Sequence, residues 1–167
     1  EEDILSLMED MFTCLVETVN PSMRLLTPFP RLSYDEAMAR YGTDKPDVRF
    51  GLELRDLTDI VTGSQFGVFR SAVLGGGKVR GICAPGCGAY SKGQLGELIE
   101  LAKGYGARGL VALALVSGTR GLEVDKASSA AAKFIGREEL QRMASRFGAK
   151  EGDLLLIVAD QPSAADK

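Results

Sequence analysis

The residues Leu110-Val111-Ala112-Leu113-Ala114-Leu115-Val116 form an unbroken apolar run in the second half of the chain. A continuous apolar segment of this length is typical of a buried β-strand. A second run of the same kind, Leu-Leu-Leu-Ile-Val-Ala, occupies residues 154–159. Two such runs predict a sheet whose central strands lie inside a hydrophobic core.

Helical patterns accompany both strands. Residues 95–105 place their apolar side chains on one helical face, and Ser91 with Gln94 has the spacing of a capping box just before them. Residues 140–147 show the same periodicity, and Gly148 follows as a helix-ending residue. The sequence therefore predicts one helix before the first buried strand and one before the second.

The remaining patterns in this half of the chain indicate further strands. Phe66–Leu74 and Lys78–Cys83 are rich in β-formers and are joined by three glycines, which predicts a hairpin. The glycines do not fit a phosphate-binding P-loop, because Val79 follows Lys78 where that motif requires Ser or Thr. Leu122-Glu123-Val124 is a further predicted strand. The order of elements then predicts a two-layer sandwich with helices on one face of the sheet.

The first 63 residues have a different character. Residues 4–19 repeat apolar side chains with helical spacing, and Tyr34–Tyr41 is a predicted helix behind a Ser33/Glu36 capping box. Pro46 then prevents helix continuation and predicts a rigid loop, followed by a strand-like alternation at residues 52–57. Gly63-Ser64 is the predicted border, which divides the chain into residues 1–63 and 64–167.

Composition excludes several classes of protein. The chain has 167 residues, of which 45% are hydrophobic and 26% are charged, as in ordinary globular proteins. No apolar run is long enough for a transmembrane helix, and the acidic amino terminus is unlike a secretory signal. We therefore expect a cytoplasmic protein without membrane partners.

Catalytic and metal chemistry have little support within the sequence. The chain contains no histidine and only Cys14, Cys83 and Cys87. The absence of histidine excludes a Ser-His or Cys-His mechanism, and two spaced cysteines without further ligands make a poor metal site. We expect reduced, structural cysteines, no catalytic residue within this chain and no bound metal.

A longer pattern points to a known family. Residues 42–56 contain Thr43-Asp44-Lys45-Pro46-Asp47-Val48-Arg49, and Pro28-Phe29-Pro30-Arg31-Leu32-Ser33-Tyr34-Asp35-Glu36-Ala37-Met38 precedes them. These two segments closely resemble the corresponding segments of bacterial aspartyl-tRNA synthetases. Later segments that resemble the same family follow in the expected order: Gly106-Ala107-Arg108-Gly109-Leu110, Gly121-Leu122-Glu123, Ala132-Lys133-Phe134-Ile135 and Gly152-Asp153-Leu154.

The resemblance implies an internal piece of such an enzyme. It implies that residues 1–63 are a helical and extended fragment of the class II catalytic core, beginning after the second signature motif. It implies that residues 64–167 are the insertion called the GAD domain, an α+β, DCoH-like fold with a mostly antiparallel sheet covered by helices. The parent enzyme would use ATP and magnesium, and we expect no cofactor in this chain because the arginine-bearing ATP motifs are not found.

The resemblance also implies where partners would bind. The near-active-site motif comprises Asp44, Lys45, Pro46, Asp47 and Arg49, which could position an acceptor end, or could simply pair with one another at the surface. The expected partners are tRNA, rather than DNA, and the remainder of the synthetase core. Candidate RNA contacts lie around the predicted hairpin and the next helix: Arg70, Lys78, Arg80 and Lys92.

Charge agrees with that placement. Residues 1–63 carry 13 acidic and 6 basic side chains, whereas residues 64–167 carry 10 acidic and 14 basic ones. The second part is thus the more suitable face for a polyanion. The alternative function is a non-catalytic docking module for protein or tRNA, because GAD domains also occur in the B subunit of the tRNA-dependent amidotransferase.

Overall fold

The structure is a computed structural model that describes residues 1–118, 121–125 and 129–165, leaving aside the side chains of residues 162 and 163. The chain divides into two compact units, Glu1–Ser33 and Tyr34–Lys167. Among the described residues, no helix is both long and apolar enough to cross a membrane.

The first unit consists of one long helix and an irregular segment. Helix α1, Glu2–Val19, confirms the predicted helix and has acidic residues in its first turn, where they complement the helix dipole. Arg31 returns to this helix and forms ion pairs with Glu2 and, at 3.0 Å, with Glu9. Helix α1 buries none of its side chains within the described residues.

The second unit is built on a five-stranded sheet in the order β1-β2-β5-β3-β4, in which each neighbouring pair is antiparallel. The two apolar runs became β3 and β5, which lie side by side within the sheet. The strands are β1 Arg55–Asp56, β2 Lys78–Ala84, β3 Val111–Gly118, β4 Gly121–Val124 and β5 Leu154–Asp160. The helices are α2 Tyr34–Tyr41, α3 Thr58–Val61, α4 Gly67–Leu74, α5 Lys92–Gly104, α6 Arg137–Phe147 and α7 Pro162–Ala165, with 3-10 turns at Val48–Phe50 and Ala130–Lys133.

Helices cover both faces of this sheet. On the first face, Phe69 of α4 and Met143 of α6 pack against Leu113, Leu155 and Ile157. On the second face, Leu95 of α5 packs against Ala112, Ala114 and Leu154. The α+β class and the antiparallel sheet covered by helices are confirmed, whereas the prediction that helices lie on a single face is wrong because β3 and β5 are apolar on both sides.

The predicted hairpin at residues 66–83 is also wrong, since its first arm is helix α4. The glycines end this helix: the Gly77 amide donates to the Ala72 carbonyl at 2.8 Å, and Gly76 has φ +72°. A Cβ on Gly77 would lie 2.5 Å from the Asp160 carbonyl oxygen. The glycine run therefore serves a helix end and a close backbone approach, where the sequence indicated a turn between strands.

Residues before the predicted border at 63/64 pack into the same core. The predicted strand at residues 52–57 shortens to β1, which pairs with β2. The Leu57 amide donates to the Val79 carbonyl at 2.8 Å, and Leu57 and Val61 are fully buried. The compact unit thus extends back to Tyr34, while the division of the chain by domain parentage stays a prediction.

Candidate functional site

Residues 43–49, which contain the motif predicted to lie near an active site, form an exposed loop between α2 and β1. Asp47 caps the 3-10 turn by accepting from the Arg49 amide at 3.1 Å, and it also accepts from Arg49 Nε at 2.8 Å and from Nη2. These hydrogen bonds lower the pKa of Asp47 to about 2. Surface pairing within the motif is therefore present for these two residues, while Asp44 and Lys45 are exposed beside them.

The two ends of this loop are held together by a cluster that the sequence did not single out. The Leu54 amide donates to the Arg40 carbonyl at 2.7 Å. Glu53 accepts from Arg40 at 2.6 Å and forms an ion pair with Arg55 at 3.0 Å. The hydrogen bond from Arg40 lowers the pKa of Glu53. The alternation at residues 52–57, which sets Glu53 and Arg55 on one side, was the available signal.

The four predicted RNA contacts do not form one surface. Arg70 is exposed on α4 and Lys92 is exposed at the start of α5, and these helices cover opposite faces of the sheet. Lys78 is half-buried on β2. Arg80 is only 6% exposed, and its guanidinium donates to the Ala39 carbonyl. Arg80 is thus a structural cation that ties β2 to α2.

Lys78 and Arg80 nevertheless belong to a basic depression of about 520 Å³. Its cations come from four elements that are distant in sequence: Arg40, Arg55, Lys78, Arg80 and Arg146. Arg146 is oriented by Asp59, with which it forms two hydrogen bonds at 2.8 and 3.2 Å, and by the Asp56 carbonyl at 2.8 Å. Guanidinium groups fixed in this way are suited to binding phosphate oxygens, because little side-chain entropy remains to be lost.

Lys78 is the cation of this basic depression that is most available to a ligand. Among the described residues it forms no ion pair, whereas Arg40 and Arg55 share Glu53, and Arg146 pairs with Asp59. A flexible ammonium group on a half-buried stem can therefore move toward an incoming phosphate without breaking an existing pair.

The Cys83 thiol is poorly suited to act as a nucleophile. Burial and the neighbouring Asp153 raise the pKa of the Cys83 thiol to about 11, so it is protonated at neutral pH and is a weak nucleophile. Cys14 and Cys87 are also free thiols. Across residues 1–118, 121–125 and 129–165, no group of three or more carboxylate or cysteine side chains is arranged to hold a metal ion.

Known proteins resemble this chain in sequence. A model of the GAD domain matches residues 69–167. The chain belongs to the GAD domain family, and over almost its whole length it corresponds to the GAD-bearing segment of bacterial aspartate–tRNA ligases.

Three relatives define that correspondence, and each is an aspartate–tRNA(Asp/Asn) ligase. The one from Dehalococcoides mccartyi strain CBDB1 is 52% identical over 162 residues, which are 95% of this chain and 27% of the ligase. Those from Symbiobacterium thermophilum and Moorella thermoacetica are 47% and 46% identical over 96% and 98% of this chain. The chain thus spans about a quarter of the length of the relatives that it matches.

Proposed function

We propose that this chain is part of an enzyme that activates aspartate with ATP and transfers it to tRNA. The observation that carries the proposal is 52% identity to an aspartate–tRNA(Asp/Asn) ligase over 95% of the chain, which includes residues before the GAD match. The relatives' names supply both tRNA acceptors as candidate substrates. The site of action would be the cytoplasm.

Within this enzyme, the chain supplies an accessory surface and not the chemistry. Adenylate formation depends on positioning and on neutralising phosphate charge, for which the parent would use arginines and magnesium at motifs not found in this sequence. The polypeptide by itself should therefore give pyrophosphate exchange at background level. Exchange above background with the purified chain would contradict this assignment.

The accessory surface faces tRNA through the basic depression. Its cations can contact successive phosphates, and such contacts position an RNA without reading its sequence. In the basic depression, the proposed tRNA contacts are Lys78 together with Arg40, Arg55 and Arg146. Arg70 and Lys92 remain candidate tRNA contacts on two other surfaces. Arg80 is buried, so its proposed role is to hold α2 against β2 through the Ala39 carbonyl.

The remainder of the synthetase is the second proposed partner. Helix α1 exposes apolar side chains along its length, among them Ile4, Leu7, Leu15 and Val19. An amphipathic helix of this kind is stable when its apolar face packs on another surface. The rest of the catalytic core is the partner that would cover it. A free-standing docking module is less well supported, because the identity to the ligases begins before the GAD match.

A chimeric enzyme tests the activity directly. The matching segment of the Dehalococcoides mccartyi ligase is replaced with this chain, and transfer of labelled aspartate is measured with the aspartate and asparagine tRNAs. We expect aspartylation to be retained. A chimera that folds, as judged by circular dichroism and gel filtration, but charges neither tRNA would refute the proposal.

Salt-dependent binding tests the tRNA-facing surface. Lys78→Glu should weaken tRNA binding by the full chain and reduce the slope of log affinity against log salt by about 1, because one phosphate contact is lost. Lys103→Glu is the matched control, since Lys103 is exposed on α5 and pairs only with Glu100 among the described residues. Equal behaviour of the two variants would remove the basic depression from the interface.

A further inference from the structure

A second cavity, of about 710 Å³, lies on the first face of the sheet, and among the described residues it shares no lining residue with the basic depression. Helix α4, the segment that enters β3, the 3-10 turn Ala130–Lys133 and the end of β5 surround it. Its volume is within the range of small-ligand sites, and a single nucleotide fits such a space.

One wall is an aromatic stack anchored in the core. Phe66 and Phe134 stack with their ring centroids 6.0 Å apart and their planes at 24°. Phe66 also meets the fully buried Phe69 edge to face, with centroids 5.0 Å apart. Phe134 is 52% exposed, so one end of the stack is open to a further planar group. Aromatic side chains presented in this way bind unpaired bases of single-stranded RNA.

The lining of the cavity also carries a buried carboxylate and an exposed cation. The Asp160 side chain is 5% exposed and accepts hydrogen bonds from the amides of Arg108, at 2.9 Å, and Gln161, at 2.8 Å. Burial alone would raise the pKa of Asp160, but these amide hydrogen bonds lower it, so the carboxylate stays ionised. The Arg108 side chain is 82% exposed at 3.5 Å from Asp160.

Each group suits one part of a nucleotide. A carboxylate oxygen that accepts one amide hydrogen bond retains a second acceptor position, which fits an exocyclic amino group. The exposed Arg108 guanidinium fits a phosphate. These walls also bring together two segments that are far apart in sequence, Gly106–Leu110 and Ala132–Ile135, for which the basic depression gives no role.

We propose that this cavity binds one unpaired base that carries an exocyclic amino group, stacked on Phe134, with its amino group toward Asp160 and its phosphate toward Arg108. The proposal deepens the tRNA-facing role and rests on it, because it assumes that RNA is the partner. It assigns specificity for base type to the cavity, whereas the basic depression holds the backbone only.

The test uses the full chain and labelled hexaribonucleotides in fluorescence anisotropy. Oligo(C) and oligo(U) are a matched pair, since cytosine has an amino group where uracil has a carbonyl. We expect oligo(C) to bind about tenfold more tightly than oligo(U), as for one hydrogen bond to a charged group. An abasic hexamer should bind more weakly than either, because it cannot stack.

Variants locate the binding. Phe134→Ala and Phe134→Leu should weaken oligo(C) binding by about 5-fold to 100-fold, the range for loss of one stacked base, whereas Phe134→Tyr should retain it. Phe134→Leu preserves apolar volume and so separates stacking from folding. Phe50→Ala is the matched control, because Phe50 is an exposed ring on the 42–51 loop and does not line the cavity.

The outcomes separate this proposal from the proposed function. Equal affinities for oligo(C), oligo(U) and the abasic hexamer, or no effect of Phe134→Ala, would overturn the base pocket. If tRNA binding and its response to Lys78→Glu persisted in that case, the tRNA-facing role would stand without the pocket. Displacement of oligo(C) by an aromatic peptide but not by cytidine monophosphate would also overturn it, since it would indicate a protein ligand.

Discussion

Substitution of Arg80 by methionine distinguishes a structural cation from an RNA contact. Methionine retains most of the apolar stem within the sheet but removes the guanidinium that donates to the Ala39 carbonyl. A hydrogen bond from a charged group contributes about 1.5–3 kcal/mol, and its loss leaves the carbonyl without that donor. We therefore expect the free energy of unfolding to fall by about 1.5–3 kcal/mol.

Urea denaturation measures this loss. With an m-value of about 1–3 kcal/mol/M, the midpoint should fall by roughly 1 M. Lys78→Met is the matched control on the same strand; it should change stability by less than about 0.5 kcal/mol, as for surface positions. RNA binding should show the reverse pattern: Lys78→Met should reduce the slope of log affinity against log salt, whereas Arg80→Met should leave this slope unchanged. An unchanged urea midpoint for Arg80→Met, with a reduced salt slope, would show that Arg80 contacts RNA.

Three further predictions concern the core, the loop and the compact units. Phe69→Ala should lower the free energy of unfolding by about 3–5 kcal/mol in urea denaturation, because the ring is fully buried between α4 and the sheet; a loss under about 1 kcal/mol would contradict that packing. Carboxyl NMR should show Asp47 titrating near pH 2, and Arg49→Gln should raise the pKa of Asp47 toward 3.8. Because the pKa of Asp47 is lower in the folded state, the ion pair stabilises the fold above about pH 4, and this stabilisation is lost as the pH falls toward 2. An unchanged pKa of Asp47 in the variant would exclude the pair. Hydrogen exchange should be slow at the Leu57 amide and fast along α1, so equal protection of the two would contradict the burial of Leu57.

Local signals in the sequence predicted local structure well. The capping box at Ser91 and Gln94 is present, with the Ser91 amide donating to Gln94 at 2.9 Å, and α5 begins at the next residue. Gly148 ends α6 in the left-handed conformation, as expected. These features depend on hydrogen bonds within one turn of the chain, so their spacing in the sequence is sufficient to identify them.

The errors arose where tertiary contacts decide the structure. Residues 67–74 contain β-branched and aromatic side chains that also suit a helix when one of them, Phe69, is buried by the sheet. Three glycines fit a turn between strands or a helix end equally well. The sequence also did not show that α5 covers the second face of the sheet. An apolar run such as β3 indicates that a strand is buried, but not which elements cover each of its sides.

The sequence predicted only part of the candidate site, because tertiary contacts bring the rest of it together. Lys78 and Arg80 were identified because they are basic and close in sequence, but Arg40, Arg55 and Arg146 join them only through the strand order and the packing of α2 and α6. Periodicity does not give strand order. Lys78 and Arg80 are two residues apart on β2 and so lie on the same face. Arg80 is flanked by Asp56 of β1 and donates to the Ala39 carbonyl of α2, whereas Lys78 lies beyond the pairing with β1, which explains why only Arg80 is buried.

The register of the sheet places the two proposed RNA-binding features near each other. Lys78 at the start of β2 pairs with Asp160 at the end of β5, so a cation of the basic depression and the carboxylate of the cavity lie on neighbouring strands at the same end of the sheet. Gly77 packs against the Asp160 carbonyl at that point and leaves no room for a side chain between them. Phosphate contacts fix the position of an RNA strand and base contacts select its sequence. An RNA strand that crosses this end of the sheet would meet both kinds of contact within a few residues of β2 and β5.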